Sequence, residues 1–501
     1  MKTTERVAVV CGLWMILCLC GGNDAVGATA AGLPIIPSPR SVSSREGRLA
    51  LGERIVCGNG ELRPLAAIVA GEMRRLTGKL AAVSDEAPRE GDVCLVMDPS
   101  LKGEAYTLAV DSKATVRGGN YAAVAAGTAS LLQLLSAENG RVTVPRLTIN
   151  DEPFAAYRGL MIDAARAWHS PETLKQMVEL CRWYKIRYLQ VHFTDDQSFT
   201  FPSTAFPKLA TTNRHYTVSE LQDLEIYARD RGVAILPELD VPGHASAILS
   251  AMPDLFANKP GGGNVVCPGR EAVYQALDVL VGEMAAIFRA SEYLHVGADE
   301  AKIGPWNTCV DCQSYRAQHQ LADSTELYRH FIVRMNEIVR KHGKKTIVWE
   351  GFHKEGKTDI PRDITVMVFE SKYNIAPDLI AQGYPVINTS WQPLYVVGKR
   401  NWSPEYIYGW NMYRWESWWK QSRAYGKPIE VSPTNLVLGA QMCAWEQKEE
   451  VELPSLRQRV ATMSERIWNP GAVNDFKQFS LRLQATDAAL DKLLGNEIQS
   501  Q

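Results

Sequence analysis

The chain carries its chemistry at the ends of short apolar runs. Asp163 and Arg166 close the first run, His192, Asp195 and Asp196 the second, and Glu238, Asp240 and His244 the third. His295, Asp299 and Glu300 follow, then Trp349 with Glu350, Glu370, Trp391, and Trp445 with Glu446. Carboxylates beside histidines are the tools of general acid–base catalysis, in which a side chain gives or takes a proton as a bond breaks. Tryptophan faces add flat apolar platforms for a sugar ring. Together these residue types point to a hydrolase acting on sugars.

The runs that position these groups recur with a steady rhythm: Gly159–Arg166, Ile186–Asp195, Val233–His244, Tyr293–Glu300, Thr346–Phe352, Ile364–Glu370, Val386–Trp391 and Leu436–Trp445. Amphipathic helices separate most of them. The clearest has Ser170 as N-cap and Pro171 at its first position, with Leu174, Met177, Val178, Cys181 and Tyr184 on one face. Eight strand–helix repeats predict an α/β fold, a (β/α)8 TIM barrel, over residues 151–480. Such a barrel works from the C-terminal ends of its strands, where the residues above lie. No GxGxxG turn follows any strand, which argues against a dinucleotide site. Residues 33–150 mix helical stretches (Pro64–Thr77, Tyr121–Leu135) with apolar runs (Val93–Met97, Tyr106–Val110), and predict a small α+β domain. Residues 481–501 are expected to form a helical tail.

Composition narrows the class. Of 501 residues, 46% are hydrophobic and 22% charged, which fits a globular protein and excludes disorder, collagen and coiled coil. The net charge of -2 leaves no electrostatic footprint for nucleic acid. Residues 1–30 have the layout of a signal peptide: Lys2 and Arg6, an apolar run from Val7 to Cys20, then small residues. Cys20-Gly21-Gly22 also allows a lipoprotein. The expected location is therefore secreted, periplasmic or cell-surface. No later run is long enough for a membrane span. Seven cysteines lie beyond the leader, an odd number that leaves at least one free thiol. Cys309-Val-Asp-Cys312 has the spacing of a redox pair or half a zinc site. With no second CxxC or histidine pair, a local bridge or two plain thiols fits better.

Six ordered motifs resemble glycoside hydrolase family 20, the β-N-acetylhexosaminidases. They are Tyr157-Arg-Gly-Leu-Met-Ile-Asp-Ala-Ala-Arg166, His192-Phe-Thr-Asp-Asp-Gln197, Pro237-Glu-Leu-Asp-Val-Pro-Gly-His244, His295-Val-Gly-Ala-Asp-Glu300, Gly439-Ala-Gln-Met-Cys-Ala-Trp445 and Ser464-Glu-Arg-Ile-Trp468. The resemblance implies exo-hydrolysis of a terminal β-linked N-acetylhexosamine on an oligosaccharide or glycoconjugate. It implies that the substrate's own 2-acetamido oxygen is the nucleophile, with no cofactor and no metal. The adjacency of Asp299 and Glu300 agrees, since ordinary retaining glycosidases oppose two carboxyls roughly 5–5.5 Å apart across the sugar. Glu300 is then expected to be the general acid, with burial and Asp299 raising its pKa. Asp299 is expected to orient the acetamide. Asp195 and His244 are implied as a polar relay behind the acid, Arg158 as a donor to sugar hydroxyls, and Trp349 and Trp445 as pocket walls.

The sequence departs from the family pattern after the seventh strand, where a Tyr-Leu-Asp run is usual. Pro393 stands at the Tyr position and Tyr395 at the Asp position. Gln447 stands where a Glu is expected two residues after Trp445, unless Glu446 replaces it, and Phe369 replaces a Trp. These changes keep two alternatives open: a related retaining glycosidase with altered O4/O6 specificity, such as for sulfated sugars, and a non-catalytic carbohydrate-binding homologue. Trp402, Trp410, Trp415, Trp418 and Trp419 lie in an insertion that either covers aglycone subsites or anchors a long loop.

Overall fold

The computed structural model describes residues 32–398, 400, 402–472 and 475–495. The leader expected at 1–30 lies outside them. Eight parallel strands close into a barrel: β1 (Tyr157–Asp163), β2 (Tyr188–His192), β3 (Ala234–Val241), β4 (Tyr293–Gly297), β5 (Lys345–Trp349), β6 (Thr365–Val368), β7 (Val386–Asn388) and β8 (Val437–Trp445). Each pairs with the next, and β8 returns to β1 with Gly439 opposite Tyr157. The main outer helices are α1 (Pro171–Trp183), α2 (Val218–Arg229), α3 (Glu271–Ile287), α4 (Ser324–Lys341), the short α5 (Ala376–Ala381) and α6 (Glu449–Trp468). The Ser170 hydroxyl caps α1 by accepting from Thr173 N–H, and Leu174, Met177, Val178 and Cys181 are buried.

Alternation along the strands sorts side chains into two cores. Tyr157, Met161, Tyr188, Leu236, Ile347, Trp349, Met367, Ile387 and Cys443 fill the lumen. Leu160, Ile162, Leu189 and Ile235 face the helices. A polar line crosses the lumen. Tyr157 donates to Gln441 at 2.7 Å, Gln441 to Gln190 at 2.9 Å, and Gln190 to Glu238 at 2.8 Å.

The N-terminal domain is a mixed sheet carrying helices Arg63–Thr77 and Tyr121–Gln133. It grips the barrel by buried charge: Arg182 of α1 holds Glu72 in a two-pronged pair at 3.0 and 2.9 Å. A closing helix, α7 (Phe476–Gly495), begins ahead of the expected tail at 481 and receives the indole N–H of Trp183 on Thr486 O. Among the described residues no helix is long and apolar enough to cross a membrane.

Candidate active site

A cavity of about 500 Å³ opens at the C-terminal ends of the strands, lined by Arg166, His244, Asp299, Glu300, Phe369 and Tyr395, with Trp391, Trp418, Trp445, Arg400 and Glu446 completing the wall. The loops that carry it are backbone-strained. His244, Ala298, Glu300, Ser371 and Glu446 all hold left-handed φ values between 45° and 67°. Such conformations cost about 1–3 kcal/mol each and gather where function dictates geometry. Gly297, at φ 66°, lies just before Asp299 and Glu300, and a Cβ there would stand 1.7 Å from Asp240 Oδ1. Only glycine lets β4 close so tightly on β3.

Asp299 and Glu300 leave the end of β4 in different directions. The Asp299 side chain is 11% exposed and that of Glu300 48%. His244 bridges them, with Nε2 3.7 Å from Asp299 Oδ2 and 3.5 Å from Glu300 Oε2, while its Nδ1 lies 3.3 Å from Asp195 Oδ1. Burial works against charge on this imidazole, but Asp240 and Asp299, with bonds to Asp195 and Glu300, outweigh it and hold His244 protonated. Behind His244, Asp195 Oδ2 accepts from His192 Nε2 at 2.9 Å and pairs with Arg166 at 2.7 Å. His192 Nδ1 in turn lies 2.7 Å from Glu238, which also accepts the Trp349 indole N–H at 2.6 Å. The relay thus runs from the cavity to the polar line in the lumen.

Burial raises the Asp299 carboxyl, and the neighbouring Glu300 charge adds to this while His244 opposes it. Asp299 Oδ1 is buried and has no hydrogen-bond partner. Glu300 departs from the sequence expectation of a raised pKa. Its bond to His244 comes first and lowers it, outweighing burial, because half of the side chain still meets solvent. The raised carboxyl is that of Glu370, which the sequence marks as a strand end without giving it a role. Glu370, at the end of β6, is 3% exposed, and its carboxyl lies close enough to that of Glu300 for each to shift the other. Burial and the charges of Glu300 and Glu350 push Glu370 up to about 8. Two carboxyls in contact share a proton near neutral pH, as like charges at that range cannot both ionise cheaply.

Arg158 requires a correction. Its guanidinium donates to Lys185 O at 3.1 Å and Ala155 O at 2.9 Å, pairs with Glu104 of the N-terminal domain at 2.5 Å, and lies over Trp468. It sits near the start of β1, roughly 16 Å of extended chain before Asp163, at the closed end of the barrel. The guanidinium beside His244 and Asp195 in the cavity is that of Arg166, stacked 4.8 Å over Trp445 and paired with Asp163 and Asp195. Trp445 and Tyr395 line the cavity as wall residues, while Trp349 lies 1% exposed beneath it, against Phe369 and Trp445.

The departures after β7 resolve in space. Pro393 is buried in a turn, and Tyr395 swings its ring into the lumen, stacked on Phe369 and close enough to Asp299 to feel its charge. Glu446 lines the cavity, and Gln447 turns away to Ser455 Oγ at 3.0 Å. The tryptophan insertion divides between the interior and the cavity wall. Trp410 and Trp415 are buried anchors, whereas Trp418 packs on Trp391 at 5.0 Å and faces the cavity. The acidic cluster around His244 is tied to Arg166 and the imidazole in one chain of contacts, an arrangement suited to a proton relay.

Known proteins match this architecture. A profile of the glycosyl hydrolase family 20 catalytic domain covers residues 155–471, and one of that family's domain 2 covers 32–152. A β-hexosaminidase of Porphyromonas gingivalis is 27% identical over 92% of the chain, which spans 63% of that relative's length. A β-hexosaminidase of Akkermansia muciniphila is 27% identical over 77% of the chain and 83% of its own. A β-N-acetylhexosaminidase structure from Bacteroides fragilis superposes with a TM-score of 0.79 at 22% identity, covering 91% of this chain and 95% of that one, and shows the same fold. Barrel, leading domain and the Asp299-Glu300 pair at the end of β4 together place the chain in glycoside hydrolase family 20.

Proposed function

We propose that the protein is an exo-acting β-N-acetylhexosaminidase that hydrolyses terminal β-linked N-acetylglucosamine or N-acetylgalactosamine with net retention. The observation that carries this reading is the buried, unpartnered Asp299 Oδ1 beside a half-exposed Glu300. An unpaired buried acceptor costs stability unless something donates to it, and a 2-acetamido N–H is a donor of the right kind. Held there, the acetamide turns its carbonyl oxygen onto the anomeric carbon. Asp299 offsets the positive charge that grows on the closing oxazolinium ring, with Tyr395 on the same wall of the cavity.

Glu300 delivers the proton to the leaving oxygen and then removes one from the water that opens the ring. A sugar seated against Trp445 buries Glu300, and burial raises a carboxyl's pKa toward that of a working acid. Glu370 keeps the shared proton at hand. The lumen closes the cavity below, so the pocket takes a chain end, as exo-action requires. Residues 1–30 support export of the enzyme.

A panel of aryl β-glycosides tests the reading. It predicts turnover of N-acetylglucosaminide or N-acetylgalactosaminide and none of the glucoside, with Glu300→Gln lowering kcat by about 10²–10⁴-fold. A wild-type protein that binds these sugars yet cleaves none would instead be a carbohydrate-binding homologue. Arg400 favours a second specificity reading. Its guanidinium stacks 5.0 Å over Trp418 on the cavity wall, near Tyr395 where the family carries an acidic residue. A cation there favours an anionic substituent such as a 6-sulfate. Equal rates on sulfated and plain substrates would remove it.

A further inference from the structure

Outside the active site the fold gathers three thiols that the sequence scatters. Cys267 follows β3 in a long loop, Cys309 caps the helix Val310–Gln318, and Cys312 sits in that helix's first turn. All three are fully buried. Cys267 Sγ lies 3.6 Å from both Cys309 Sγ and Cys312 Sγ. A disulfide would need roughly 2.05 Å. Zinc bound to sulfur at about 2.3 Å sets the edges of its tetrahedron near 3.8 Å.

The surroundings give the sulfurs one donor and one oxygen. Lys259 N–H donates to Cys309 Sγ at 3.4 Å. Asn258 is 2% exposed, and its amide nitrogen donates to Val265 O, which leaves Oδ1 facing Cys312 Sγ at 3.8 Å. Three thiolates and an amide oxygen make a soft donor set suited to a thiophilic d10 ion. Around zinc the net charge of that set is −1.

We infer that Cys267, Cys309 and Cys312 form a structural zinc site, with Asn258 Oδ1 at the fourth position, that clasps the loop after β3 to the segment following the catalytic pair. The same two segments already touch through Val310 N–H to Lys259 O and the Trp306 indole N–H to Val266 O, both 3.0 Å. The clasp therefore fixes the chain on both sides of Asp299 and Glu300: His244 opens one clasped loop, and Cys309 closes the other.

Elemental analysis of the purified full chain after dialysis against metal-free buffer tests the site. The expected result is one zinc per chain. Exchange with Co(II) should give the sulfur-to-cobalt charge-transfer absorption of a thiolate site, and Cys312→Ser should lose both metal and band. Wild-type protein that retains no zinc and gives no thiolate band with Co(II) would overturn the proposal. So would peptide mapping that finds Cys267 in a disulfide with Cys309 or Cys312. The wild-type measurements stand even where the variant fails to fold.

Discussion

Two arginines separate what binds from what supports. Arg166 stacks on Trp445 inside the cavity, and Arg158 ties β1 to the N-terminal domain. Arg158→Ala should therefore lower thermal stability by about 2–4 kcal/mol and leave KM within a few-fold, while Arg166→Ala should raise KM and cut kcat without comparable loss of stability. Calorimetry beside steady-state kinetics separates them, and the reverse pattern would return Arg158 to the substrate. Glu370 makes a pH-dependent prediction. Because its folded pKa of about 8 lies above its ordinary value, the folded state keeps a proton that the unfolded chain gives up, and stability falls as pH climbs from about 4.5 to 8. Glu370→Gln removes that fall. It also leaves Glu300 with an amide donor instead of an acid, so the alkaline limb of kcat/KM should move about one unit toward acid. A pH–rate profile identical to wild type would show that no proton is shared.

The strands were legible because each apolar run ends in a polar cluster, and the cavity carboxylates Asp299 and Glu300 were legible because they end one of them. Arg166 and Glu370 end strands too, and the same signal marked them, but strand position alone does not say which way a side chain turns. Arg158 shows the limit. Alternation sends it to the outer layer, and only the domain packed there explains a buried arginine. The insertion after β7 was opaque for another reason: Tyr395, Trp418 and Arg400 reach the cavity through loop geometry with no periodic pattern. The loop between β5 and β6 adds a constraint visible only in three dimensions. A Cβ at Gly351 would stand 1.9 Å from Ala298 O, just before Asp299 and Glu300. Gly351→Ala should displace Asp299 and Glu300 and cut kcat by about 10²-fold, since small misplacements cost that much, while the barrel stays folded. Far-UV circular dichroism with kinetics checks it.

Across the whole molecule, the N-terminal domain acts as a base plate for the closed end of the barrel. The Arg182–Glu72 pair is buried on both sides, so removing one partner strands the other charge. Glu72→Ala should cost about 3–5 kcal/mol and lower Tm, with the kinetic constants at moderate temperature preserved. Unchanged Tm would show that the interface does not need the pair. The barrel's open end carries the chemistry, and its lumen carries a continuous polar line from Tyr157 to Glu238 and on to His244. That division lets one end tolerate strain while the other end holds the fold together.

The central claim is that the substrate's amide, and no protein atom, attacks the anomeric carbon. Fluorinating the N-acetyl group weakens that carbonyl oxygen as a nucleophile while barely changing its size. The most direct test is kcat/KM for aryl N-acetyl-, N-fluoroacetyl-, N-difluoroacetyl- and N-trifluoroacetyl-glucosaminides. The account predicts a steep fall with each fluorine added. A flat series, with the enzyme equally fast on all four, would contradict it.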